Sequence, residues 1–126
     1  MSDEAEVERL KAAMWRMRFV LMQRQVVNPA LLAANQLAHY RWIIALEKAG
    51  KVVLSGPVYD ADARPQGGMT LFNLSDLEAA RVLGDTDPFI ASGAMSYNLS
   101  IWQLNEGRLS LSVDLSDLTG RPGMGA

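Results

Sequence analysis

Two side chains of the 126-residue sequence suit acid–base chemistry: His39, the only histidine, and Asp87, in the segment Asp-Thr-Asp-Pro-Phe. Imidazole gains and loses a proton near neutral pH, so His39 is a candidate for proton transfer. Each residue also has a structural interpretation. A lone histidine on a helix stripe can be a packed polar residue, and an aspartate before Pro88 makes a good helix N-cap. Taken alone, the two residues leave both interpretations open.

Two arginines are candidates for holding a small acid. Arg16 and Arg18 fall on the same side of a predicted strand, and we place them on a sheet face beside Ser96 and Asn98. A guanidinium group can bind a carboxylate through paired hydrogen bonds. Charged residues at the edge of a solvated strand would give the same pattern, so this interpretation also stays open.

One long loop is predicted, from Val58 to Gly67, and it carries Tyr59 and Asp60. A loop of this length in a small domain can act as a lid over a ligand, and it can equally be a solvated turn.

Composition excludes several classes of protein and of site. Hydrophobic residues make up 49% of the chain, charged residues 21%, and the net charge is −2, which argues against disorder and against nucleic-acid binding. Without cysteine, disulfides, thiolate metal sites and cysteine nucleophiles are excluded, and one histidine without converging carboxylates predicts no metal site. The acidic N-terminus and the short apolar runs predict neither a signal peptide nor a membrane span. We therefore expect a cytoplasmic protein that binds no membrane.

Hydrophobic periodicity predicts alternating strands and helices. Residues 1–13 are expected to be a lead-in with a short helix, 14–105 the domain, 106–118 an extra hairpin strand, and 119–126 a flexible tail. The predicted elements are a strand from Trp15 to Met22, a helix from Asn28-Pro29 to Ala49, strands Lys51–Ser55 and Gly68–Asn73, a helix capped by Ser75 and ending near Gly84, a helical turn from Asp87-Pro88 to Gly93, and strands Ala94–Leu104 and Arg108–Leu115.

This order predicts an α+β fold, a ferredoxin-like βαββαβ antiparallel sheet with an extra C-terminal strand. Two helices can cover only one face of such a sheet. If the odd-numbered residues of the first and last main strands meet the helices, the other face is half apolar, and packing against a second copy would shelter it. The residues expected on that uncovered face are Arg16, Arg18, Val20, Met22, Ser96, Asn98, Ser100 and Trp102.

Several segments resemble those of the YCII-related family, dimeric α/β-barrel proteins of ferredoxin-like fold that are related to muconolactone isomerases and chloromuconolactone dehalogenases. The resemblance implies a homodimer whose sheets join into a barrel. It also implies an active site containing the helix histidine and the aspartate of the Asp-Pro-aromatic motif, here His39 and Asp87. The matching segments are Ala38-His39-Tyr40, Leu46 to Lys51, Ser55-Gly56-Pro57, Ser75 to Ala80, and Asp85 to Phe89 followed by Gly93.

The resemblance leads to a concrete functional hypothesis. The chain would be a cofactor-independent acid–base enzyme of lyase, isomerase or dehalogenase type, acting on a small organic acid or lactone. His39 would be the general base or acid, and Asp87 would orient it. One of the two arginines would anchor a substrate carboxylate, and the loop with Tyr59 and Asp60 would close the pocket.

Two alternatives belong to other classes of function. The first is a non-catalytic dimeric module that binds a small molecule or a partner, with His39 as a satisfied polar residue. The second is a purely structural dimer whose barrel is filled by large side chains such as Trp102, Met22 and Phe72.

Overall fold

The computed structural model describes residues 2–116 and 119–122. The chain divides into two units, one of Arg18–Gln103 and one of Met1–Met17 with Leu104–Ala126. Its elements in chain order are α1 (Asp3–Ala13), β1 (Met17–Val26), a 3₁₀ turn (Pro29–Leu31), α2 (Leu32–Lys48), β2 (Val52–Tyr59), β3 (Pro65–Phe72), α3 (Leu77–Gly84), α4 (Pro88–Ala91), β4 (Met95–Leu104), β5 (Leu111–Asp114) and β6 (Thr119–Pro122).

A four-stranded sheet with the strand order β2-β3-β1-β4 forms the centre of the Arg18–Gln103 unit. β3 is antiparallel to both of its neighbours. Its register sets Leu71 opposite Leu21 of β1, and Thr70 opposite Ser55 of β2. This strand order is that of the ferredoxin-like fold, so the predicted α+β architecture is confirmed.

The core of this unit lies between the sheet and the helices. Val20 and Met22 of β1 and Phe72 of β3 are fully buried against Ala80 of α3. Removing this apolar surface from water is the main favourable contribution to folding. The partly buried residues that complete the core are Trp42, Leu46, Val52, Leu74, Leu83, Ile90, Tyr97 and Leu99.

The predicted assignment of sheet faces is wrong for β1. Its even-numbered residues Val20 and Met22 face the helices and not the uncovered side. Both alternating sets of β1 contain apolar residues, so the period of two did not distinguish the buried set. For β4 the assignment is correct, since Tyr97 and Leu99 pack against the core. Met22 and Phe72 consequently do not fill a barrel on the uncovered face.

The predicted long loop is in fact a short turn. β2 does not stop at Gly56-Pro57 but continues through both residues. Pro57 is tolerated because β2 is an edge strand, where a missing backbone donor leaves no pairing incomplete. Asp60 holds the turn that follows, since its Oδ1 accepts from the backbone N–H groups of Asp62 at 2.8 Å and Arg64 at 2.9 Å.

The helix signals are confirmed in part. Asn28-Pro29 opens the 3₁₀ turn that leads into α2, and Gly50 follows the end of α2 with a φ of +76°. The predicted cap at Ser75 is wrong. Asp76 caps α3 instead, because its Oδ1 accepts at 3.1 Å from a backbone N–H of the first turn. Asp76 lies one residue after the predicted cap, and aspartate and serine are both favoured at the N-cap position.

The second unit contains α1, β5 and β6. α1 confirms the predicted short helix, and Ser2 Oγ caps it by accepting from the N–H of Ala5 at 3.1 Å. β5 pairs with β6 in a separate two-stranded sheet, so the prediction that it extends the main antiparallel sheet is wrong. Of the predicted tail, residues 119–122 form β6, and residues 123–126 lie outside the described residues. Within the described residues, no helix has the length and apolar character that crossing a membrane requires.

Candidate functional site

An open groove of about 720 Å³ lies between α2 and the strands β2 and β3. One wall is the side of α2 that carries His39. The α2 residues of this wall include Leu32, Gln36, His39, Tyr40, Ile43 and Ile44. Leu46 of α2 packs into the core instead. Arg24 of β1 and Phe89 of α4 also line the groove, so mostly apolar walls surround a few polar groups, as in small-molecule sites.

His39 and Asp87, the predicted pair, are in direct contact. Nδ1 of His39 lies 2.8 Å from Oδ1 of Asp87, and the imidazole stacks on the ring of Phe89 with centroids 4.4 Å apart. An ionised carboxylate only accepts hydrogen bonds, so Nδ1 carries the proton in this contact. The second ring nitrogen, Nε2, is then free to act as a base, on a residue that lines the groove.

Asp87 also has the structural role that the sequence suggested. It is the N-cap of α4, where its Oδ1 accepts from the N–H of Phe89 at 3.0 Å. The carboxylate is completely buried. Burial alone would raise its pKa, but the hydrogen bond from His39 and the charge of Arg24 outweigh burial and hold the pKa of Asp87 below its usual value. The capping and the acid–base interpretations are therefore compatible, since one carboxylate serves both.

Arg24 is a site residue that the sequence analysis missed. Its side chain is 3% exposed, its Nε donates to Asp87 Oδ2 at 2.6 Å, and its Nη1 donates to Thr70 Oγ1 at 2.8 Å. Burial lowers the pKa of Arg24, and the charge of Asp87 opposes that effect. A signal was available in the sequence. Arg24 continues the even-numbered series of Val20 and Met22, and an arginine at a buried strand position needs a buried acid.

The two arginines predicted as ligand anchors are not in the groove. Arg16 precedes β1 with a φ of +56° and belongs to the other unit. Arg18 is exposed, and its Nε donates to Gln103 Oε1 at 2.9 Å. Because Arg18 shares its side of β1 with Val20, it lies on the face opposite Ser96 and Asn98, and its predicted placement beside them is wrong.

The other predicted contacts fall in three places. Tyr59 lines the groove. Asp60 forms the local turn between β2 and β3 and is not among the groove-lining residues. Ser96 and Asn98 lie on the uncovered face of β4, where Asn98 borders a separate depression of about 390 Å³ with Gln23.

The polar groups of the groove suit proton transfer. In the part of the chain that the structure describes, no three histidine, aspartate or glutamate side chains converge as metal ligands. What converges is an imidazole, an ionised carboxylate and a guanidinium, an arrangement that can remove a proton from a ligand and stabilise the charge that results.

Comparison with known proteins finds similarities in a family model, in a curated sequence and in a solved structure. The YCII-related domain family matches residues 17–103. The uncharacterized protein YjpA of Bacillus subtilis is 29% identical over 68 residues, which cover 54% of this chain and 75% of that protein. Among solved structures, 5-chloro-2-hydroxyhydroquinone dehydrochlorinase (TftG) from Burkholderia phenoliruptrix AC1100, in complex with 2,5-dihydroxybenzoquinone, superposes with a TM-score of 0.57 at 20% identity. That match covers 68% of this chain and 93% of the dehydrochlorinase chain, and it shows a shared fold.

Proposed function

The chain belongs to the YCII-related domain family, and we propose that it is a cofactor-independent acid–base enzyme acting on a small organic acid or lactone. His39 is the general base or acid, and Asp87 orients it. The observation that carries the proposal is the contact of 2.8 Å between Nδ1 of His39 and the buried carboxylate, which leaves Nε2 as the free nitrogen of a groove-lining imidazole.

The proposed reaction begins with one proton transfer. Nε2 of His39 takes a proton from the ligand, and the ionised carboxylate of Asp87 stabilises the imidazolium. The electron pair left on the ligand then either expels a leaving group, as in a lyase or dehalogenase, or is reprotonated at another atom, as in an isomerase. The dehydrochlorinase with the same fold supports the elimination branch.

A homodimer is part of the proposal. Leu21 and Trp102 lie on the sheet face away from the helices, where Leu21 is partly exposed and Trp102 is 46% exposed. Apolar side chains on an open sheet face favour cover by a second copy of the chain.

The test measures turnover of a panel of small organic acids and lactones, together with the phenol 5-chloro-2-hydroxyhydroquinone, with chloride release and ultraviolet absorbance as readouts. We expect His39→Gln to lower turnover by roughly 10² to 10⁴, because that is the usual contribution of a positioned acid or base. Ser100→Ala, which removes an exposed hydroxyl of β4, is the matched control and should leave turnover unchanged.

Equal turnover by His39→Gln and the wild-type protein would contradict the proposal. A ligand that binds without being converted, with the same affinity for His39→Gln, would instead identify a non-catalytic binding module, which the mostly apolar groove also fits.

A further inference from the structure

A continuous chain of hydrogen bonds joins the imidazole to a second groove-lining side chain. It runs from His39 through Asp87 and Arg24 to Thr70, and it ends at Ser55, whose Oγ lies 2.8 Å from Thr70 Oγ1. The three middle residues are buried, and the residues at both ends line the groove, as Arg24 also does. Proton transfer at His39 uses one end of this chain, and Ser55 stands at the other.

Arg24 fixes the direction of these hydrogen bonds. A guanidinium group only donates, so Thr70 Oγ1 accepts from Arg24 Nη1 at 2.8 Å and must place its own proton elsewhere. Thr70 is fully buried, and across the described residues the acceptor that its hydroxyl reaches is Ser55 Oγ. Thr70 therefore donates to Ser55. The hydroxyl proton of Ser55 is left available for an acceptor in the groove.

The charges of this chain balance before proton transfer and not after it. Asp87 is an anion and Arg24 is a permanent cation, so these hydrogen-bonded residues are neutral in sum while the imidazole is neutral. Once His39 has taken a proton, the hydrogen-bonded residues together carry one positive charge beside a ligand that has become an anion. Nη2 of Arg24 is buried and has no acceptor among the described residues, so one donor of this cation stays unused. This balance favours a ligand that arrives neutral and is held as its conjugate base.

We propose that Ser55 is a ligand-binding residue that donates a hydrogen bond to the oxygen of an acidic enol or phenol whose proton passes to His39, with Arg24 and Thr70 as positioning residues. The inference rests on the function proposed for His39 and adds a ligand class and a second contact. The ligand O–H bond breaks, its electron pair stays on the oxygen, and the proton forms a bond to Nε2. A small organic acid whose only acidic proton is that of its carboxylic acid fits less well, because that group is ionised before it binds at neutral pH.

4-Nitrophenol is a direct probe, because its anion is yellow and its neutral form is not. The protein is titrated with 4-nitrophenol at a pH where the free phenol is mostly neutral, and phenolate absorbance is expected to appear on binding. Ser55→Ala should weaken this binding roughly tenfold or more, since a hydrogen bond to a charged oxygen is lost. Ser100→Ala should bind as the wild type does. 4-Nitroanisole, which has no acidic proton, should bind the wild type and Ser55→Ala equally.

Thr70→Val tests the relay separately, because it keeps the side-chain volume and removes the hydroxyl that orients Ser55. We expect reduced phenolate absorbance from a protein whose circular dichroism is unchanged, and if this buried substitution unfolds the chain, the exposed Ser55→Ala variant decides. Unchanged phenolate binding by Ser55→Ala overturns the proposal, as does the absence of phenolate absorbance with wild-type protein. If His39→Gln keeps full turnover while Ser55→Ala still weakens phenolate binding, the enzyme proposal falls and the Ser55 contact stands.

Discussion

Arg24 donates from Nε to Oδ2 of Asp87 at 2.6 Å, with both side chains almost completely removed from solvent. The other oxygen of the same carboxylate contacts His39 and caps α4. One buried carboxylate thus joins a strand, a long helix and a short helix, and it requires a cation beside it because an uncompensated buried charge is costly.

Removal of the cation should destabilise the fold strongly. We expect Arg24→Met to lower the free energy of unfolding by roughly 3–5 kcal/mol, because it leaves Asp87 buried without its partner. The double variant Arg24→Met/Asp87→Leu should recover much of this loss, apart from about 1 kcal/mol for the missing cap. Urea unfolding monitored by tryptophan fluorescence measures both. A loss well under 1 kcal/mol for the single variant would show that the pair is not buried in solution.

The same carboxylate should make stability depend on acid pH. The pKa of Asp87 is lower in the folded protein than its ordinary value of 3.8. The contribution of Asp87 to the free energy of unfolding is therefore complete above pH 3.8, and it is lost as the pH falls from 3.8 through the lower pKa of the folded protein. The urea midpoint of the wild type should therefore drop in this acid range. The urea midpoint of Asp87→Asn should fall less steeply with pH. The midpoint of Asp62→Asn, a substitution at an exposed turn position, should follow that of the wild type.

Tyr97 should ionise only at strongly alkaline pH. Its hydroxyl donates to Asp85 Oδ1 at 2.5 Å, and burial together with this carboxylate raises the pKa of Tyr97 from 10.0 to about 12. The neutral hydroxyl is favoured in the folded state, so its contribution is present below pH 10.0 and is lost as pH rises through about 12. Phenolate absorbance during alkaline titration reports the step. Tyr97→Phe should remove it, and Asp85→Asn should move it to lower pH.

Gly67 should not tolerate a side chain. Its φ is +148°, and a Cβ there would lie 2.0 Å from the carbonyl oxygen of Arg24 on the neighbouring strand. Strained backbone of this kind costs roughly 1–3 kcal/mol, and the clash adds to it, so Gly67→Ala should lower the unfolding free energy by at least that amount. Gly56→Ala is the control, since its Cβ would meet nothing within 4 Å. Equal stability of the two variants would contradict the close approach of β3 to β1.

The proposed dimer gives a separate measurement. Trp102→Glu places a charge on the sheet face away from the helices, and we expect it to convert a dimer into a monomer in analytical ultracentrifugation at micromolar concentration. Leu37→Glu is the control, because Leu37 is an exposed apolar residue, 60% accessible, on α2. A monomeric wild-type protein would contradict the dimer.

The order of elements could be predicted from the sequence because the local signals agree with the tertiary fold. Asn28-Pro29, Gly50 and Asp87-Pro88 each require a particular backbone geometry, and the structure has a helix boundary at each. The face of β1 could not be predicted. Its two alternating sets are both apolar, and only pairing with β3 and packing against the helices decide between them.

The candidate site divides in the same way. His39 and Asp87 could be singled out by residue type and by the family resemblance, and the structure brings them together. The sequence analysis did not single out Arg24, Thr70 and Ser55. Their hydrogen bonds depend on which side chains share a sheet face, and the predicted face of β1 was reversed. Once the register is known, an arginine beyond two buried apolar positions points directly to a buried acid.

The double service of Asp87 affects how relatives of this protein are interpreted. A relative without catalytic activity would still need this carboxylate, because the carboxylate neutralises Arg24 and caps α4. Its presence in another sequence is thus poor evidence for a working enzyme. The imidazole neither starts a helix nor neutralises a buried cation, so the fold depends on it less than on the carboxylate. Retention of histidine at position 39 is the sharper marker of activity.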